Sequence, residues 1–141
     1  MNFKILSFNW HEPYLCLLAR IGYEFLIVEP EITPGQYRRW DENMRPVPKN
    51  VCLISKTTAR EMLERGEFDL IIAHNIKDLL AVKDYSLPKI VVFHNCLTTE
   101  IKLAKDQINR EDYLDKVDIL LEGVHKVFIS EKKRQDWGLN G

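Results

Sequence analysis

Residues 69–75, DLIIAHN, and residues 89–95, KIVVFHN, decide how this chain folds. Each is a short run of apolar residues that stops at a histidine followed by an asparagine. Runs of this length, apolar without alternation, are the pattern of strands covered on both faces, as in a parallel sheet. A third run, ILSFNWH at residues 5–11, also stops at a histidine, His11, and carries an asparagine, Asn9, just before it. In an open α/β sheet ligands bind outside the carboxyl ends of the strands, so the three endings point to one polar cleft.

Working outward, the apolar runs alternate with helical patterns, the arrangement of βαβ units. The first strand is expected over residues 4–8. A helix follows from Glu12, with Pro13 suited to its first turn and Leu15, Leu18 and Ala19 on its buried side, and it ends at Gly22. A second strand covers residues 25–28 and a third residues 51–55. Thr58 and Glu61 fit a capping box opening the next helix, which Gly66 closes. Strands over 69–73 and 89–93 are joined by residues 76–88, enough for a crossover helix. Asn109, with Asp112 three residues on, caps a helix whose stripe of Tyr113, Leu114, Val117, Leu120, Leu121 and Val124 is core. A sixth strand over 127–129 and a short helix from Ser130 to Gln135 complete the pattern. The expectation is one Rossmann-like α/β domain over residues 1–141, a doubly wound, mainly parallel sheet with helices on both faces and strand order 3-2-1-4-5-6.

Composition narrows the function. Twenty Lys and Arg against 21 Asp and Glu leave a net charge of −1, so bulk electrostatics recommends no nucleic-acid partner. The three cysteines, Cys16, Cys52 and Cys96, are odd in number, widely spaced and in apolar settings, which argues for packing rather than disulfides or a cysteine zinc site. The chain shows neither a signal-peptide pattern nor an apolar stretch of membrane-spanning length, and a cytoplasmic location, with peripheral membrane contact, is the expectation. Residues 29–50 lack periodicity. Arg38, Arg39, Trp40 and Arg45 there offer a cationic and aromatic surface for an anionic acceptor or lipid head group, against the plainer expectation of a solvated loop.

The order of these pieces resembles the N-terminal, acceptor-side domain of a GT-B glycosyltransferase, most closely the retaining family 4 group. KILSFNWHEP is similar to the first strand and acceptor loop, RPVPKNVCLIS to the approach to the third strand, and FDLIIAHN and LPKIVVFHN to the two strands that end in histidines. VFISEKKRQDWGLNG is similar to the segment before the interdomain linker. The resemblance covers essentially the whole chain. It implies transfer of a sugar from a nucleotide-sugar donor to a sugar or lipid-linked acceptor hydroxyl, with donor held mainly by a C-terminal domain or partner subunit not contained in these residues. Asn9, Trp10, His11 and Glu12 stand where the family often has glycines, and no GxGxxG follows any strand, so no dinucleotide cofactor is expected.

By that resemblance His94 faces the donor sugar and is the leading catalytic candidate. His11 is second, since in inverting relatives a histidine after the first strand is the base, and a neutral imidazole accepts a proton near neutral pH. His74, Asn75 and Asn95 could bond sugar hydroxyls, Trp10 could stack on a sugar face, and Ser130, Glu131 and Arg134 match the pre-linker segment. Two other classes compete. A non-catalytic partner-binding or regulatory subunit of a split transferase would show an apolar docking patch at Trp137 and Leu139. A His-based metal-dependent hydrolase would gather His11, His74 and His94 around a metal; without HExxH or HxH spacing, no metal is expected.

Overall fold

The computed structural model describes residues 3–30, 39–103 and 109–138. Arg38 and Leu139 lie outside the described residues. Six strands form a parallel sheet of order 3-2-1-4-5-6, the Rossmann-like, doubly wound arrangement. The chain divides into two compact units, Met1–Ile72 and Ala73–Gly141.

In the first unit, β1 (Lys4–Phe8) pairs with β2 (Glu24–Val28) from Lys4↔Glu24 to Phe8↔Val28, and β2 pairs with β3 (Val51–Ile54). Ile5, Leu6, Phe25 and Ile27 are at most 1% exposed, which is why these runs show no polar alternation. The other edge of β1 takes β4 (Leu70–Ala73), with Ile5 opposite Leu70. Helix α1 (Glu12–Leu18) starts with Pro13 in its first turn, where the missing N–H costs nothing, and tightens into a 3-10 turn before Gly22. Gly22 takes φ +88°, a left-handed stop that a side chain would strain. Helix α2 (Lys56–Glu64) begins two residues before the expected capping box. Ser55 is its cap, accepting the N–H of Thr58 at 3.1 Å. Thr58 therefore lies inside the helix, where its hydroxyl bonds Ser55 at 3.0 Å.

Three expectations for this unit need correction. Trp40 is not part of a solvated loop: it is 7% exposed, and its indole N–H donates to the carbonyl of Arg45 at 3.0 Å. Cys52 is exposed rather than packed, because it lies on β3, at the edge of the sheet, where one side chain in two faces outward. Leu18 is only half-buried.

In the second unit, α3 (Ile76–Ala81) joins β4 to β5 (Lys89–Phe93); α4 (Leu97–Leu103) and α5 (Arg110–Leu121) lead to β6 (His125–Phe128), and α6 (Glu131–Trp137) ends it. The register from Ile90↔His125 to Phe93↔Phe128 places β6 two residues earlier than expected. Asn109 caps α5 by accepting the N–H of Asp112 at 2.8 Å. The core gathers Leu79, Val91, Phe93, Leu97, Val117 and Trp137, with Tyr113, Leu114, Leu120 and Val124 packed against it. Trp137 is 1% exposed, its ring 4.6 Å from that of Phe93. It is a core residue, so it contributes nothing to an exposed docking patch.

Candidate functional site

The second unit brings four of the expected residues to two neighbouring strand ends. His74 and Asn75 follow β4, and His94 and Asn95 follow β5. Nδ1 of His74 lies 3.2 Å from Nε2 of His94, a ring-to-ring hydrogen bond. The two histidines differ in setting, His74 being 1% exposed and His94 half-buried.

Local chemistry fixes each side chain. Asn75 closes β4 and opens α3, its side-chain oxygen accepting the N–H of Asp78 at 2.7 Å. Asp78 in turn accepts the backbone N–H of His74 at 3.2 Å, so strand end and helix start are tied in both directions. After β5, the carbonyl of His94 accepts from the Lys133 ammonium, and the carbonyl of Asn95 accepts the indole N–H of Trp137 at 2.9 Å. Helix α6 thereby satisfies two strand-end carbonyls that burial would otherwise leave without partners. Asp136, also on α6, caps α4 through the N–H of Thr98 at 3.0 Å and pairs with Arg110.

The electrostatics follow from burial. Desolvation, with the nearby His94 adding to it, lowers His74 to about 3, so this ring is neutral at ordinary pH. Burial raises Asp78 to about 7 and Glu100 above the usual carboxylate range; the N–H of His74 and the amide of Asn95, 3.4 Å from Glu100, pull the other way. Tyr113 is pushed up to about 12, by burial first and by Glu100 second. The unit thus holds an imidazole, that of His74, and two carboxyl groups whose charged forms are disfavoured. Such groups accept and donate hydrogen bonds, or hold a proton, near neutral pH.

The remaining expected residues belong to the first unit or to the start of α6. His11 is exposed in the first unit, at the N-cap position of α1, where it makes no side-chain cap bond. Trp10 beside it is 38% exposed. Ser130 caps α6 by accepting the N–H of Lys133 at 3.2 Å, and Glu131 and Arg134 pair with each other on the exposed surface. Among the described residues no three or more of His, Cys, Asp and Glu are grouped to hold a metal ion.

Sequence reasoning missed Asp78, Glu100 and Lys133. Asp78 carried a signal, since Asn75 and Asp78 have the spacing of a cap and the residue it bonds. It also missed the buried carboxylate of Glu29 in the first unit, which follows β2. Glu29 accepts the amide of Asn9 at 2.9 Å and the backbone N–H of Trp40 at 3.2 Å, while Glu12 accepts the N–H of Asp41 at 3.0 Å.

Among the described residues no helix is long and apolar enough to cross a membrane. Comparison with family models, with curated proteins and with solved structures finds no match for the chain.

Proposed function

We propose that the chain is the acceptor-side half of a two-domain glycosyltransferase, which transfers a sugar from a nucleotide-sugar donor to an acceptor hydroxyl once a donor-binding domain, in the same polypeptide or a partner subunit, completes it. The observation that carries this reading is the His74 to His94 bond at the ends of neighbouring parallel strands. In a doubly wound sheet that is where ligands bind. Two adjoining asparagines provide the donors and acceptors that sugar hydroxyls require. The strand order and the resemblance of the strand-end segments support the same assignment.

In this reading His94 is the catalytic residue, bonding a hydroxyl of the donor sugar or the acceptor, and Asn95 and Asn75 line the same edge. Glycosyl transfer depends on orienting the acceptor and neutralising charge on the departing phosphate, so a positioned imidazole acts by holding geometry. Donor is held mainly by the other half, and the 141-residue chain alone binds it poorly.

The test combines the chain with its donor-binding half and follows nucleotide release from UDP- and GDP-hexoses over a panel of sugar and lipid-linked acceptors. Expected are turnover by the combination, none by the chain alone, and a loss of about a hundredfold in kcat/KM for His94→Ala. Turnover at ordinary enzyme rates by the chain alone, or an unaffected His94→Ala variant, overturns the proposal.

A further inference from the structure

Lys133 stands at the third position of α6, after Ser130 as the cap, Glu131 and Lys132. That position favours a glutamate, which can reach back to the cap, and the first turn of a helix disfavours cations. The half-buried Lys133 side chain crosses instead to the end of β5, where its ammonium donates to the carbonyl of His94. Satisfying that carbonyl does not call for a charge. The neutral indole of Trp137 does the same for the next carbonyl, that of Asn95, at 2.9 Å. A charge held there, partly out of water, carries a desolvation cost that a neutral donor would avoid.

The groups around the ammonium leave its charge uncompensated. On α6 itself Glu131 pairs with Arg134, while Asp136 pairs with Arg110 and accepts the N–H of Thr98. On α4, burial holds Glu100 toward its neutral form. Among the described residues no carboxylate pairs with Lys133. An ammonium has three N–H donors and the His94 carbonyl takes one; the other two have no partner among the described residues. We propose that Lys133 binds a diphosphate anion at the carboxyl end of β5, with the His94 carbonyl fixing the ammonium in place. The inference rests on the transferase reading for the source of the anion, which is then the diphosphate of the nucleotide-sugar donor. A lysine suits phosphoryl oxygens as a compact point charge, and the ends of parallel strands are where such ligands sit. Contact there sets a positive charge against the phosphate whose charge glycosyl transfer must neutralise, a task shared with the donor-binding half.

The test does not need turnover. The full 15N-labelled chain is titrated with inorganic pyrophosphate at about 0.15 M salt, where distant surface charges are screened, and NMR follows the lysine ammonium and backbone amide signals. Expected is saturable binding in the range of about 1 to 10 mM, with shifts at the Lys133 ammonium and around residues 94–98 and 130–134. Lys133→Met is expected to weaken it about tenfold, the loss of one charge-assisted hydrogen bond. Lys132→Met removes an equal charge from the adjoining position and is expected to change it less than about twofold. Equal losses in the two variants, or an unchanged affinity in Lys133→Met, overturn the proposal. Lys133→Gln, which offers the carbonyl a neutral donor, is expected to keep the amides of residues 94–98 in place and still lose the anion. It decides the matter if the methionine variant fails to fold, and retained pyrophosphate binding in it overturns the proposal. Binding that depends on Lys133, together with no turnover by the completed enzyme, would leave the anion site standing and remove the glycosyltransferase reading. Turnover by the completed enzyme with a donor KM unaffected by Lys133→Met would do the reverse.

Discussion

The backbone N–H of His74 donates to Oδ2 of Asp78 at 3.2 Å, which ties an acid held near neutrality to a histidine held uncharged. The two groups pull stability in opposite directions with pH. His74 falls from 6.5 unfolded to about 3 folded, so the unfolded chain binds more protons between those values and stability drops as pH falls below 6.5. Asp78 rises from 3.8 to about 7, so the folded chain holds the extra proton and stability drops as pH rises through that window.

Removing one group therefore exposes the slope of the other. Asp78→Asn is expected to become more stable as pH rises from about 4 to 6.5, and His74→Asn to become less stable over the same range, each by up to about 1.4 kcal/mol per pH unit. Urea unfolding across that range measures both. The wild type should be nearly flat between them, and parallel slopes in the two variants would sink the idea.

Asn75 and Ser130 are both N-caps, but only Asn75 supports the imidazole pair. Each alanine variant is expected to lose about 1 kcal/mol in urea unfolding, the usual cost of a lost cap. Asn75→Ala should also shift the ring resonances of His74 and His94. Ser130→Ala should leave them in place.

Glu29 and Trp40 hold the chain that follows the second strand. Glu29→Ala removes the acceptor for two donors, and a cost of about 2 to 3 kcal/mol is expected, since a buried unpaired N–H loses its full desolvation penalty. Trp40→Ala removes a buried indole and should cost about 3 to 5 kcal/mol. Both are read from urea midpoints at constant slope.

Trp137 makes a packing contact and a hydrogen bond that substitution can separate. Trp137→Phe keeps a ring against Phe93 but leaves the Asn95 carbonyl without its donor, at about 1 to 3 kcal/mol. Trp137→Ala should cost about 3 to 5 kcal/mol. In the phenylalanine variant, amide exchange should quicken around residues 94–98 while the centre of β5 stays protected.

What the sequence disclosed and what it withheld follow from the range of the forces involved. β1 and β5 have the expected bounds because continuous apolar runs between polar residues mark where two-sided burial starts and stops. The Asn109 cap was legible because donor and acceptor are three residues apart. The start of α2 was misplaced by competition between Ser55 and Thr58, two residues that can each cap a helix. Trp40 was read as loop because its burial depends on Glu29, eleven residues earlier, and no periodicity records such a bond. At the candidate site, the strand-end histidines and asparagines could be found from position alone. Lys133 could not, since its bond to the His94 carbonyl spans 39 residues and follows only from where α6 packs.

The pairing of β1 also sets an order of assembly. One edge of this strand is met by residues 24–28, about twenty positions away, and the other by Leu70 and Ile71, with Ser7 reaching the Ile72 carbonyl 65 positions away. Loop closure over the shorter span comes first and costs less entropy. A nascent chain emerging in sequence can therefore join its first three strands early, yet carries an open, strongly apolar strand edge through the synthesis of α2. Until the segment ending in Ala73 arrives to cover it, that edge is where a chaperone would find this protein and where two newly made copies would stick together.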